Sequence, residues 1–265
     1  MGGSLRILAR CSMPILEICV DTPAGVAAAV AGGADRVELC AALSLGGLTP
    51  SAGLVDIAVK AAVPVVAMIR PHEGGFRYDE ATLCIMVNEI VLMAAAGVEG
   101  VVFGATDGAG GLDRAVLARL MQTVRTSEAR RGIPLRTTLH RAIDLCADPL
   151  AALDHAIALG FDRVLSAGGA TSARAGSACL AAMRRRAADR CEIVAGAGVD
   201  AANVRALIDA TGVGAVHASC RADAVARDAE DDRAVTLGFG ATARQTSLAD
   251  VRALRLALDA SFHDQ

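Results

Sequence analysis

Two short runs carry the same chemical pattern. Leu16-Glu17-Ile18-Cys19 and Val37-Glu38-Leu39-Cys40 each set a carboxylate and a thiol two residues apart, with apolar residues interleaved. On extended backbone, positions two apart share a direction. Glu17 and Cys19 therefore face one way and Leu16 and Ile18 the other, and the second run repeats the arrangement with Glu38 and Cys40. If the runs are neighbouring strands, about 4.8 Å apart, the two thiols converge at one level. Paired thiolates select a soft ion, Cu(I) or zinc, over hard cations. Zinc takes four ligands, or three and a water, so two sulfurs fall short of it, whereas Cu(I) accepts fewer. The competing reading is that each cysteine packs as a small apolar residue.

Further polar residues close other apolar runs. Arg70 precedes Pro71; Thr138 and His140 share a face, with Asp144 in the next loop; Ser166 ends one run, and His217 and Ser219 share a face of another. A buried carboxylate must be paired or protonated, because an isolated buried charge is costly. Arg70 and the two histidines are the natural partners. Such clusters make acid–base sites, so Glu17, Glu38, His140 and Asp144 are the candidate proton-transfer groups. Arg70, Arg141, Ser166, Gly196, Gly198 and His217 are the candidates for holding a small anionic substrate. The glycines after residues 166 and 195 permit close backbone approach to an anion, although tight turns alone would also use them.

Eight elements must position these residues. Apolar β-rich runs stand near Ile15–Cys19, Arg36–Cys40, Val65–Arg70, Gly100–Phe103, Leu135–His140, Arg163–Ser166, Glu192–Ala195 and Ala215–Ser219, each followed by an Ala/Leu/Val-rich amphipathic stretch. Eight strand–helix intervals predict an α/β protein, a single parallel (β/α)8 barrel of the TIM type, in which chemistry sits at the C-terminal strand ends. A last helix, 247–260, would close the ring. A doubly wound sheet would need a phosphate-loop signature, and neither GxGxxG nor a Walker sequence is present. Gly33-Ala34-Asp35-Arg36-Val37 is echoed by Gly160-Phe161-Asp162-Arg163-Val164, at positions equivalent in a barrel of two four-unit halves. The charged stretch 221–233 is taken as a solvated loop. Residues 1–12 are expected to be a loose N-terminal extension and 13–265 the barrel domain.

Composition narrows the function classes. Of 265 residues, 54% are hydrophobic and only 2% aromatic, so a large core must come from Ala, Val, Leu and Ile, and an aromatic-lined ligand pocket is unexpected. A net charge of −3, from 26 basic and 29 acidic side chains, gives no electrostatic case for nucleic acid. No apolar run reaches the roughly 18 residues of a membrane helix, and the N-terminus lacks a secretory h-region. Eight scattered cysteines without a CxxC pair suit reduced thiols. A cytoplasmic location is the expectation.

The segment LEICVDTPAGVAAAVAGGADRVELCAALSLGGLTPS at 16–51 resembles the opening of the CutC copper homeostasis proteins. The resemblance continues through Val66-Ala67-Met68-Ile69-Arg70-Pro71, Leu139-His140-Arg141-Ala142-Ile143-Asp144, Ala195-Gly196-Ala197-Gly198-Val199 and Val216-His217-Ala218-Ser219. It implies a (β/α)8 barrel, a cytoplasmic protein of copper handling, and a homodimer or larger homo-oligomer. It also implies that Cys19 and Cys40 match the two cysteines proposed to hold Cu(I) in some members. Where the family has IRPRGGDF, this chain has Ile69-Arg70-Pro71-His72-Glu73-Gly74-Gly75-Phe76, and the usual Thr-Ser-Gly becomes Ser166-Ala167-Gly168. The expected function is a copper homeostasis protein that binds Cu(I) without turnover; the alternative is an enzyme acting on an unidentified small anionic metabolite at the barrel mouth.

Overall fold

In the computed structural model, residues 13–223, 229–238 and 244–263 are described, so the segment 1–12 and part of 221–233 lie outside the described residues. Eight strands close a parallel barrel: β1 (Ile15–Val20), β2 (Arg36–Leu39), β3 (Val65–Met68), β4 (Gly100–Phe103), β5 (Arg136–Leu139), β6 (Arg163–Ser166), β7 (Glu192–Ala195) and β8 (Ala215–Ala218). β8 pairs back onto β1 through Glu17 opposite His217. The helices α1 (Pro23–Ala31), α2 (Ala52–Ala58), α3 (Glu80–Ala96), α4 (Arg114–Arg131), α5 (Pro149–Leu159), α6 (Ser177–Ala187) and α7 (Val204–Thr211) alternate with them. This is the (β/α)8 barrel predicted from the strand spacing.

The helix starts follow from sequence. Thr22, Ser51, Asp79, Asp113 and Asp148 each accept a first-turn amide with the side chain, which satisfies donors a helix start would otherwise leave open. The main core lies between strands and helices, where Leu16, Ile18 and Val20 are wholly buried. The alternation in β1 thereby turns Glu17 and Cys19 into the barrel. Among the described residues, no helix is long and apolar enough to cross a membrane.

The repeated Gly-x-Asp-Arg-Val now has a structural meaning. Asp35 accepts the Leu16 amide at 2.7 Å, and Asp162 accepts the Thr137 amide at 2.8 Å, so each aspartate ties its strand to the one before. The arginines that follow turn into the barrel floor: Arg36 pairs with Glu17 and Glu192, and Arg163 with Glu99 and Glu192.

After β8 the chain departs from expectation. Arg221–Asp223 forms a strand, β9, antiparallel to β10 (Arg244–Thr246); a short helix, α8 (Ala229–Thr236), intervenes, and α9 (Leu248–His263) ends the fold. The stretch taken as a solvated loop therefore begins with an ordered strand. Arg221 and Arg244 clamp this hairpin by donating to each other's carbonyl oxygens.

One close approach holds the loop after β6. A Cβ at Gly176 would stand 1.8 Å from the Ala167 carbonyl oxygen. A Gly176→Ala variant is expected to lose about 2 kcal/mol or more of unfolding free energy in urea titration, the scale of a forced overpacking.

Candidate functional site at the barrel mouth

The C-terminal strand ends open into a cavity of about 390 Å³ whose lining includes Cys19, Glu38, Arg70, Phe76, His140, Arg141, Gly198, His217, Arg221 and Arg244. β1, β2 and β8 carry its reactive floor. Glu17 lies just below, fully buried, with Oε2 accepting from Arg36 Nε at 2.5 Å and Oε1 2.8 Å from His217 Nδ1. Burial raises its pKa, but Arg36 and His217 outweigh that and hold the carboxyl at about 2. His217 answers in the opposite sense. Burial lowers its pKa, yet Cys19, Glu38 and Glu17 together raise it well above the usual histidine value, with side-chain hydrogen bonds to Cys19 and Glu17. The Glu17–His217 pair thus links the barrel interior to the cavity, where Cys19 lies in the lining.

Glu38 stands beside it under a different balance. Burial, with a contribution from the Glu17 charge, raises its pKa despite His217 and Arg36. Its Oε1 accepts from Cys40 Sγ at 3.5 Å, and its buried Oε2 has no hydrogen-bond partner. Glu38 is therefore the cavity carboxyl whose surroundings favour holding a proton.

His140 takes another role. Burial, then the neighbouring Arg70, push its imidazole down to about 3. Its Nδ1 accepts the Ala142 amide at 3.1 Å, which puts the ring proton on Nε2. That Nε2–H is buried and has no partner. The ring packs on Phe76, centroids 4.6 Å apart, and Phe76 also lies under the Arg70 guanidinium. His140 is a neutral donor to the cavity rather than a base.

The structure sorts the remaining candidates. Arg70 lines the cavity but gives Nη1 to the Leu45 and Gly47 carbonyls and Nη2 to that of Gly74, so it also ties down two loops. Asp144 and Ser166 face the loop after β6 and not the cavity. Asp144 accepts from the Ser166 hydroxyl at 2.6 Å, from the Ala167 and Gly169 amides, and from Arg141 Nε at 2.8 Å. Asp144→Ala is expected to cost about 3 kcal/mol in urea unfolding by orphaning these donors, and Asp144→Asn less. Gly196 packs against Leu165 and His217 behind the cavity wall, while Gly198 lines it.

The cysteines do not share a level. Strand register sets Cys19 opposite Glu38, which leaves Cys40 two residues higher on β2; barrel closure staggers neighbouring strands in this way. Cys19 lines the cavity, whereas Cys40 is wholly buried among Val66, Met68 and Val102. Burial and Glu38 push the Cys40 thiol well above its ordinary pKa. The tightest cluster of ligand-type atoms among the described residues is Glu17, Glu38 and His217, within 4.8 Å of one another. Both Glu17 oxygens are already engaged there.

Arg36 beside Glu17, and Phe76, Arg221 and Arg244 in the cavity lining, were not among the sequence candidates. Arg36 carried a signal through its place in the repeated pentapeptide, and Phe76 through the segment 69–76 that resembles the family.

Known proteins share this arrangement of sequence and fold. The CutC family matches residues 14–222. A CutC family protein of Sinorhizobium medicae (strain WSM419) is 44% identical over 247 residues, 93% of this chain and 96% of its own length. One from Caulobacter vibrioides (strain NA1000 / CB15N) is 49% identical over 205 residues, 77% of this chain and 80% of its own. The solved structure of CutC from Streptococcus agalactiae, named for copper homeostasis, superposes with a TM-score of 0.72 at 27% identity, covering 78% of this chain and 99% of that one. The chain belongs to the CutC family.

Proposed function

We propose that the barrel mouth is the active site of an enzyme that transfers a proton on a small anionic metabolite. The observation that carries this reading is the Glu38 carboxyl: buried, lining the cavity, raised in pKa, and with one oxygen unpartnered. A buried carboxyl of that kind is suited to general acid–base catalysis. Around it, His217 holds positive charge beside the reacting region, stabilised from behind by Glu17. His140 Nε2–H is set to donate to a substrate oxygen. Arg70 and Arg221 set positive charge in the cavity lining, which favours an anion and concentrates it at the mouth.

The test uses the wild-type protein and a panel of small anionic metabolites, screened first by thermal stabilisation. Those that bind are then incubated in D2O and followed by proton NMR for loss of a C–H signal. The expected result is exchange by the wild type and a loss of about 10²–10⁴-fold in Glu38→Gln. Exchange that is undiminished in Glu38→Gln, or no exchange with any stabilising metabolite, would sink the reading.

A second reading is Cu(I) binding by Cys19 and Cys40, consistent with the copper name attached to the Streptococcus relative. It is favoured by a soft sulfur in the cavity floor, Cys19, near enough for its charge to act on the Cys40 thiol. It requires Cys40 to shed a proton that burial and Glu38 hold in place, so the proton-transfer reading ranks first. Anaerobic Cu(I) titration against a competing chelator separates them: affinity unchanged in a Cys19→Ser, Cys40→Ser double variant removes the copper reading.

A further inference from the structure

We infer that the backbone amides of Gly198 and Val199, with Arg221 at the rim, form a subsite for the phosphate group of the substrate. This deepens the proton-transfer reading and rests on it for the word substrate; the anion site itself stands on separate observations. In a planar trans peptide, the carbonyl of one residue and the amide of the next point in opposite directions. The Ala197 carbonyl accepts from the Ala173 amide at 3.0 Å, and the Gly198 carbonyl accepts from Asn203 Nδ2 at 2.8 Å. Both acceptors are thereby turned into the scaffold, away from the cavity. The amides of Gly198 and Val199 are turned the other way, along a segment that lines the cavity, and neither meets an acceptor among the described residues.

The backbone there is bent by residues that favour this use. Ala197 and Gly198 both have left-handed φ, 77° and 69°. For alanine that conformation is strained, and such strain persists where surrounding structure imposes it, often at ligand clamps. Outward-facing successive amides are what oxyanion-binding loops present, and the loops after strands seven and eight are a recurrent phosphate position in barrels. Arg221, from the hairpin after β8, adds positive charge. Its Nε and Nη2 donate to the Arg244 carbonyl, which positions the guanidinium without neutralising it.

Two buried side chains point to a ligand independently of this loop. His140 and Glu38 line the same cavity, both more than nine-tenths buried, and His140 Nε2 and Glu38 Oε2 have no hydrogen-bond partner. A small phosphorylated compound satisfies all three places. Its phosphate takes the two amides and Arg221, an oxygen on its carbon chain takes the His140 proton, and a neighbouring C–H or O–H faces Glu38. The class is therefore a short phosphorylated carbonyl or hydroxy compound.

The probe is inorganic phosphate, with acetate as the carboxylate comparison, titrated into the full chain at pH 7 and read by ³¹P NMR line broadening and by calorimetry. A Cβ at Gly198 would meet only the Ser172 Cβ, at 3.7 Å, so a side chain fits. Asn and Asp are the residues most tolerant of left-handed φ. The paired variants are Gly198→Asp and Gly198→Asn, which differ by one negative charge at nearly constant shape. The expected results are saturable phosphate binding by the wild type and at least about ten-fold weaker binding in Gly198→Asp, the effect of a close like charge. Gly198→Asn should stay within a few-fold of wild type and acetate should bind more weakly than phosphate. If Gly198→Asp fails to fold, Arg221→Gln replaces it, with an expected weakening of several-fold. Absence of saturable binding by the wild type, equal affinity in Gly198→Asp and Gly198→Asn, or acetate binding tighter than phosphate overturns the subsite. Phosphate binding without deuterium exchange on any metabolite keeps the subsite and removes the proton-transfer reading. Exchange confined to phosphate-free acids does the reverse.

Discussion

Arg36→Met is expected to lower the unfolding free energy by about 3–5 kcal/mol, the cost of leaving a buried ion without its partner. Arg36 reaches Glu17 at 2.5 Å in a wholly buried setting and joins it to Glu192 on the barrel floor. The double variant Arg36→Met, Glu17→Gln should recover part of the loss, because no unpaired charge then remains. Urea titration at pH 7 measures both.

The same ion pair sets an acid limb of stability. Glu17 falls from 4.5 to about 2 on folding. Its contribution, on the order of 3 kcal/mol, is complete above pH 4.5 and is lost as pH drops through the folded value. In Arg36→Met that acid limb should flatten, since the partner that depresses the carboxyl is gone. His217 and Glu38 act in the other direction. Both have raised folded pKa values, so their contributions are complete below their unfolded values and decline as pH rises through the folded ones. A titration series in which Arg36→Met keeps the wild-type acid limb would show that Arg36 is not what holds Glu17 ionised.

The barrel was legible because its strands are short apolar runs at regular intervals, and alternation alone set Glu17, Cys19, Glu38 and Cys40 on the inner face. Alternation says nothing of level. Whether Cys19 meets Cys40 or Glu38 depends on the stagger that closes eight strands into a ring, a property of the whole barrel that neither segment encodes locally. Asp144 and Ser166 looked like site residues because polar groups at strand ends usually are. Their use in bracing a loop depends on the path of the backbone at 167–169. The hairpin after β8 was missed for a plainer reason: Arg221-Ala222-Asp223 and Arg244-Gln245-Thr246 show no apolar alternation. Its pairing comes from backbone bonds and crossed arginines, so Arg221 and Arg244 reached the cavity unannounced.

That arginine rim carries the second large effect. Cys19 lines the cavity and is 6% exposed, whereas Cys84 sits exposed on α3 and outside the mouth. The two sulfurs therefore sample different fields in one molecule. A reagent carrying a carboxylate should be concentrated at the mouth by Arg70 and Arg221, and a neutral reagent of the same shape should not. Iodoacetate and iodoacetamide form such a pair. The ratio of their alkylation rates at Cys19, divided by the same ratio at Cys84, is expected to be at least about 10 at low salt, the lower end of electrostatic focusing in a charged cleft. Raising ionic strength should bring it down several-fold, because the Debye length falls from about 30 Å at 0.01 M to about 8 Å at 0.15 M. Peptide mass spectrometry reads both sites from one reaction. A ratio near one that ignores salt would mean that the rim arginines are neutralised in solution, and the anionic-ligand reading would lose its electrostatic support. A high ratio that collapses in Arg221→Gln would assign the focusing to the hairpin and tie the segment after β8 to the work of the site.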